Sequence, residues 1–496
     1  MKKDTLFYAV RIRVILKYFG QLCLVLAGLT IVPLAVSLYF GEISVSLRYT
    51  IVLVVVGVLG GVLSKLRPPQ MVQENEAIVL VAIMFLFTPL VMTVPMTGAG
   101  IPFMDAFFEA VSAGTTTGLS TLATVEDKPH AFLFARAWMQ WYGGLGILVF
   151  ALTAMIRPGK LTRDLSAPEF DEDDLVGGAR AHARRVLVVY GIITVVGVSV
   201  TVILGPGLFD SVLYVLSAVS TGGFAPHDAS LGALSSLSAR IWITLLCLAG
   251  AVSFVFYRQI YYRGRKVIVS DVQTQGLIVI SLMTCLVLGA SMWSEGIEPA
   301  RLAVHAPLIG LSAQTSAGFS TMDLTGLGST SKFVLIPAMA VGGSVGSTAG
   351  GLKIIRLLIL LKVVHMAVSR SGMARHSYSP ARLGGRLLDD DQIREALMLI
   401  LAFIGVIVFS WGVFIGYGFD PLDSLFEVVS AVGTVGLSAG LTGPDLPTVL
   451  KGVLCVDMLM GRLEIFAWLV LIYPRTWTAG ARDVVPAVRK VPSDAT

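Results

Sequence analysis

The sequence predicts an all-α polytopic membrane protein, with four helix–pore loop–helix repeats around a central pore and two extra N-terminal transmembrane helices before them. Three observations predict it. The 496-residue chain is 55% hydrophobic and only 14% charged, where ordinary soluble domains carry about a quarter charged residues. Apolar runs near the ~20 residues that cross a bilayer recur along the whole length. One short segment also occurs four times in register.

Spanning helices are expected near 18–40, 48–65, 77–95, 132–156, 185–204, 237–257, 272–292, 332–364, 393–416 and 449–473. Ten spans put both termini on one side. Basic residues choose that side. Lys2, Lys3, Arg11, Arg13 and Lys17 precede the first span, and Lys65 and Arg67 follow the second. Arg157, Lys160 and Arg163 follow the fourth; Arg258, Arg263, Arg265 and Lys266 follow the sixth. Lys362, Arg370, Arg375, Arg382 and Arg386 follow the eighth, and Arg475, Arg482, Arg489 and Lys490 follow the tenth. All agree with cytoplasmic termini, and the acidic run Asp171–Asp174 reads as a solvated cytoplasmic loop. The net charge of +5 is therefore read as topology in a lipid bilayer, not as nucleic-acid binding. The apolar stretch from Leu22 to Phe40 is too long for a secretory signal core and is read as a retained anchor. Cys23, Cys247, Cys285 and Cys455 sit singly in apolar runs and are read as buried reduced thiols.

The division that follows is an N-terminal two-helix hairpin (1–70), pore repeats at 71–165, 180–266, 267–370 and 388–480, and a cytoplasmic tail (481–496). No polar stretch of the ~100 residues a soluble domain needs occurs. No HExxH, GxSxG or carboxylate pair lies in a plausible cleft either, so an enzyme is not expected.

The repeated segments are DAFFEAVSAGTTTGLS (105–120), DSVLYVLSAVSTGGFA (210–225), HAPLIGLSAQTSAGFS (305–320) and DSLFEVVSAVGTVGLS (423–438). Ser112, Ser217, Ser312 and Ser430 align, as do Gly118, Gly223, Gly318 and Gly436. Asp105, Asp210 and Asp423 suit helix N-caps, and His305 is read as a structural cap of the third segment. About ten mostly apolar residues follow, a helix of roughly 15 Å that reaches half of the hydrocarbon core. Irregular backbone at that depth must line water or be packed in protein. Four such loops about one axis make a ring of carbonyls that can replace a cation's hydration shell. The ring would comprise Thr115, Thr116, Thr117 and Gly118; Ser220, Thr221, Gly222 and Gly223; Thr315, Ser316, Ala317 and Gly318; and Gly433, Thr434, Val435 and Gly436. An ion-coupled symporter shares these features, and a non-conducting sensor or scaffold with four re-entrant packing loops would tolerate loss of the four glycines.

GTVGL and TTTGL resemble the T-V-G core of potassium-channel filters, and the fourfold plan in one chain resembles the Trk/Ktr/HKT superfamily of potassium transporters. QWYGGLGILVF (140–150), GGSVGSTAGGLKIIRLLILLK (342–362) and MLMGRLEIFAWLVLIYP (458–474) resemble its first post-filter helix, its interrupted third-repeat helix and its last helix. The two extra N-terminal spans resemble the TrkH-like membrane subunit. The resemblance implies K+ as the transported ion with no organic cofactor, a homodimer, a cytoplasmic TrkA-like nucleotide-binding regulatory ring, and a cell inner membrane location. Only the fourth loop carries T-V-G, so the strictness of discrimination against Na+, including a less selective Na+/K+ conductor, stays open.

Between two apolar half-helices lies GGSVGSTAGG (342–351). Its glycines weaken a helix by about 1 kcal/mol each. The resemblance gives Gly342, Gly343, Gly346, Ser347, Thr348, Gly350 and Gly351 the role of an intramembrane gate, with Arg462 cooperating. An inert helix break is the bland alternative, and a phosphate loop fails on spacing because Leu352 separates Gly351 from Lys353. Arg462 is expected in the middle of the last span, either ion-paired with Asp457 or Glu464 or opposing cation passage near the path. Glu109 and Glu427 are read as holding the filter backbone, with direct ion coordination as the alternative.

Overall fold

In the computed structural model, residues 9–67, 72–156, 175–264, 270–371 and 381–478 are described. Lys2, Lys3, Arg157, Lys160, Arg163, Arg265, Lys266, Arg375, the Asp171–Asp174 run and the 481–496 tail lie outside the described residues.

Helices α1 (Ile12–Tyr39) and α2 (Ile43–Ser64) pair along their length. Their backbones meet at small residues, since a Cβ on Gly60 would lie 2.8 Å from the Gly20 carbonyl oxygen. The first repeat follows as α3 (Glu74–Met96), α4 (Phe103–Gly114) and α5 (His130–Ile156). The second is α6 (Leu175–Ile203), α7 (Leu208–Val219), α8 (Leu237–Ala251) and α9 (Phe254–Arg263). The third is α10 (Val272–Ser294), α11 (Pro299–Gln314), α12 (Ser329–Val341) and α13 (Ile354–Arg370). A small hairpin, β1 (Arg382–Leu383) with β2 (Arg386–Leu387), precedes the fourth: α14 (Asp390–Gly416), α15 (Pro421–Val432), α16 (Thr448–Arg462) and α17 (Phe466–Ile472).

Apolar side chains cover the outside of the bundle. Ile192 and Val195 on α6, Leu282 and Leu286 on α10, and Leu401 and Phe409 on α14 are each more than half exposed. Such a surface is stable against lipid, not water. Among the described residues six helices are long and apolar enough to cross a membrane, seven when α8 and α9 count as one bent span. The chain is thus a multi-pass, all-α membrane protein.

Two expected continuous spans are broken. The span expected at 237–257 bends by 87° between α8 and α9. There the Gly-rich segment supplies the hydrogen bonds that helix continuation would otherwise make: Ser344 N donates to Ala251 O at 3.0 Å, and Phe254 N to Gly346 O at 2.9 Å. The span expected at 449–473 stops at Arg462, and the chain turns through left-handed Glu464 (φ 56°) and Ile465 (φ 63°). Arg462 therefore ends a helix and does not sit in the middle of one.

The expected caps also differ. Asp105, Asp210 and Asp423 lie in the first turns of α4, α7 and α15, while Pro102, Gly207 and Asp420 occupy the N-cap positions. Their charge still complements the helix dipole. Two of them join repeats: Lys451 Nζ lies 2.6 Å from Asp105, and Lys332 Nζ 2.8 Å from Asp423. His305 is no cap, because α11 already begins at Pro299; its Nδ1 lies 2.8 Å from Thr321 Oγ1. All four cysteines are free, with Cys285 only partly buried.

Candidate pore and its Gly-rich plug

The four half-helices α4, α7, α11 and α15 each end one residue before or at the start of an aligned irregular strand. The second residue of every strand is left-handed: Thr116 (φ 54°), Thr221 (φ 52°), Ser316 (φ 52°) and Thr434 (φ 47°). The fourth residue is a left-handed glycine, with φ of 90° at Gly118, 77° at Gly223, 74° at Gly318 and 93° at Gly436. A β-branched residue at positive φ is a genuine outlier that persists only where its surroundings over-determine it. Here three aligned threonines share that outlier, and Ser316 adopts the same φ at the remaining aligned position.

These glycines close a ring. A Cβ on Gly118 would lie 2.2 Å from Gly222 O, one on Gly223 2.2 Å from Ala317 O, one on Gly318 2.0 Å from Val435 O, and one on Gly436 2.1 Å from Thr117 O. Each repeat thus presses its glycine on the third-position carbonyl of the next, and the fourth repeat returns to the first. These contacts join the third and fourth positions of all four loops, eight of the sixteen residues expected from sequence. In the first and fourth loops the aligned serine pins the glycine, Gly118 N donating to Ser112 Oγ and Gly436 N to Ser430 Oγ, both at 3.0 Å. The hydroxyls of Ser217 and Ser312 have no such partner.

Behind the ring, Glu109 accepts from Ser120 Oγ at 2.5 Å and Thr121 N at 3.2 Å, with the Arg136 guanidinium 2.9 Å away. Glu427 accepts from Ser438 Oγ at 2.5 Å, Ala439 N at 2.9 Å and Leu441 N at 3.1 Å. Both carboxylates hold the chain just past the glycines, which favours the backbone-holding reading. The fourth-position glycines and the residues after them, among them Ser120, Phe224, Ser320 and Ser438, line a cavity of about 550 Å³.

At the opposite end, the first and second strand positions meet residues 342–351, most of which are fully buried. Gly350 N donates to Ser316 Oγ at 2.7 Å, and a Cβ on Gly350 would lie 2.0 Å from Thr434 Oγ1. Thr348 Oγ1 donates to Val219 O at 3.1 Å and Gly250 O at 3.0 Å. Gln314 Nε2 donates to Gly342 O at 2.8 Å. Arg462 reaches the segment from α16, donating to Thr348 O at 2.7 Å and Gly143 O at 3.4 Å. Neither expected carboxylate is its partner. Asp457 accepts from Ser410 Oγ at 2.7 Å, and Glu464 pairs with Arg356. Lys353 Nζ donates to Ala349 O.

Sequence reasoning did not single out Gln140, Arg136, Gln273 or Gln314, all of which touch these loops or flank them. Arg136 and Gln140 are polar side chains within an apolar run, whereas Gln273 and Gln314 sit among other polar residues and carry no such signal. Gln273 Oε1 accepts from Val345 N at 2.9 Å, and the Arg136 guanidinium lies 3.8 Å from the Phe224 ring centre.

The family model for TrkH, a cation transport protein, matches residues 47–477. The Trk system potassium uptake protein TrkI of Halomonas elongata is 30% identical over 489 residues, covering 93% of this chain and 96% of that protein. An uncharacterized cation transporter of Methanocaldococcus jannaschii is 27% identical, covering 92% of this chain and 94% of that one. The crystal structure of the potassium transporter TrkH from Vibrio parahaemolyticus superposes with a TM-score of 0.84 at 25% identity, over 94% of this chain and 100% of that one.

Proposed function

The chain belongs to the TrkH family of cation transport proteins, and on that premise we propose that it takes up K+ across a cell membrane through the four-loop ring. It is a transporter and not an enzyme. The observation that carries the reading is the closed ring itself, in which four aligned loops each seat a glycine on the next loop's carbonyl. In this reading a dehydrated ion enters from the cavity side and is passed along the carbonyls of 115–118, 220–223, 315–318 and 433–436. Residues 342–351 then form the gate, because they lie directly against the other end of the ring and Arg462 braces them. A homodimer in the inner membrane, with cytoplasmic termini and a TrkA-like nucleotide-binding ring setting the gate, completes the proposal on the strength of the family.

The test is 86Rb+ uptake into proteoliposomes holding the purified chain, with K+ or Na+ as competitor. Block by K+ far stronger than by Na+ is expected. Equal block would replace K+ uptake by general monovalent-cation conduction. Silence that persists after the nucleotide-binding partner is added would refute conduction.

A further inference from the structure

The second loop departs from the other three in a way the rest of the fold compensates. At the third strand position the first, third and fourth loops carry buried side chains, Thr117, Ala317 and Val435. The second carries Gly222, followed at once by Gly223. Two adjacent glycines give this strand more backbone freedom than its counterparts have.

The place of the missing side chain is filled from another repeat. A Cβ on Gly222 would lie 2.4 Å from Cδ of Gln140, 2.6 Å from its Oε1 and 2.8 Å from its Nε2. Gln140 is fully buried on α5. Its Nε2 donates to Gly222 O and its Oε1 accepts from Phe224 N at 3.2 Å. One turn earlier on the same face, Arg136 lies against the Phe224 ring. The α5 face thus grips the second loop on both sides of Gly223.

Gly222 O is also the oxygen on which Gly118 is seated. Among the described residues no side-chain donor reaches the equivalent carbonyls of Thr117, Ala317 or Val435. A carbonyl has two lone pairs, so an amide on one of them fixes the direction of the other.

We infer that Gln140 is a positioning residue for ion selection, its amide standing in for the absent third-position side chain and setting the direction of the Gly222 carbonyl. The inference rests on reading the four loops as the ion filter.

The test is the K+/Na+ permeability ratio of the full chain in planar bilayers, taken from reversal potentials. The variants are Gln140→Leu, Gln140→Ala, Gly222→Ala and the Gln140→Ala/Gly222→Ala double. Gln140→Leu is expected to lower the ratio about fivefold, the change that roughly 1 kcal/mol of hydrogen bonding makes. Gly222→Ala alone is expected to lose folded protein or selectivity, because its Cβ meets Gln140. The double variant, with Ala as in the third loop, is expected to recover a ratio closer to wild type than either single change. Recovery of folded protein in the double, where a single change yields none, is the same rescue. A Gln140→Leu ratio equal to wild type, or a double whose losses simply multiply, overturns the inference. Wild-type protein that does not discriminate K+ from Na+ overturns the filter reading itself, before any variant is compared.

Discussion

Replacing Gly436 by Ser perturbs one quarter of the ring and little else. Gly436 holds φ at 93°, and left-handed backbone costs an L-residue roughly 1–2 kcal/mol. The added Cβ would also sit 2.1 Å from Thr117 O, so strand and carbonyl must part by over an ångström. If that cost falls on the ion-selective arrangement of the carbonyls, the K+/Na+ permeability ratio drops roughly 5- to 30-fold. Reversal potentials in planar bilayers read this directly. Gly443→Ala is the matched control, because a Cβ there meets nothing within 4 Å. An unchanged ratio in Gly436→Ser, in protein that folds as the control does, would refute the assignment of 433–436 to the filter.

Further outcomes follow from other contacts. Deleting residues 345–347 should raise 86Rb+ flux, since it shortens the segment packed against the ring; lower or equal flux would count against the gate. Arg462→Gln should also raise basal flux, by loosening the donor to Thr348 O; unchanged flux would make Arg462 a bystander. Lys451→Met leaves Asp105 without its buried partner and should cost about 3–5 kcal/mol of stability. Thermal unfolding in detergent measures it, and Lys451→Met/Asp105→Leu should recover much of the loss. Glu427→Ala frees Ser438 Oγ and the Ala439 and Leu441 amides and should lower the K+/Na+ ratio with little change in expression; loss of stability at a constant ratio would make it purely structural.

What could be read from the sequence is local or periodic. The four loops align because each needs a half-length apolar helix followed by a glycine that tolerates positive φ, and both leave direct marks. The Gly-rich interruption is visible because its composition alone opposes a helix. The breaks at 252–253 and 463–465 left no such mark. Val252 and Ser253 are ordinary helix-compatible residues, and at the bend residues 344–348 of the next repeat, about ninety positions along the chain, supply the hydrogen bonds. Likewise Arg462, Asp457 and Glu464 invite pairing by proximity in sequence, but ending α16 at Arg462 sends each to a different element. Gln140 was not singled out, because its partner Gly222 is identifiable only once α5 and the second loop are packed together.

The return of the fourth repeat on the first has an evolutionary consequence. In a pore assembled from identical subunits a coding change is copied into every quadrant, so small adjustments are unavailable and most changes are drastic. Here Thr117, Gly222, Ala317 and Val435 occupy equivalent places yet are encoded separately. On the proposed reading a lineage could alter one quadrant while the other three preserve conduction, and a neighbouring helix could absorb the change, as the Gln140 side chain fills the space beside Gly222. Ion preference in such a chain is open to gradual adjustment along an asymmetric series of intermediates, each of them still a working protein.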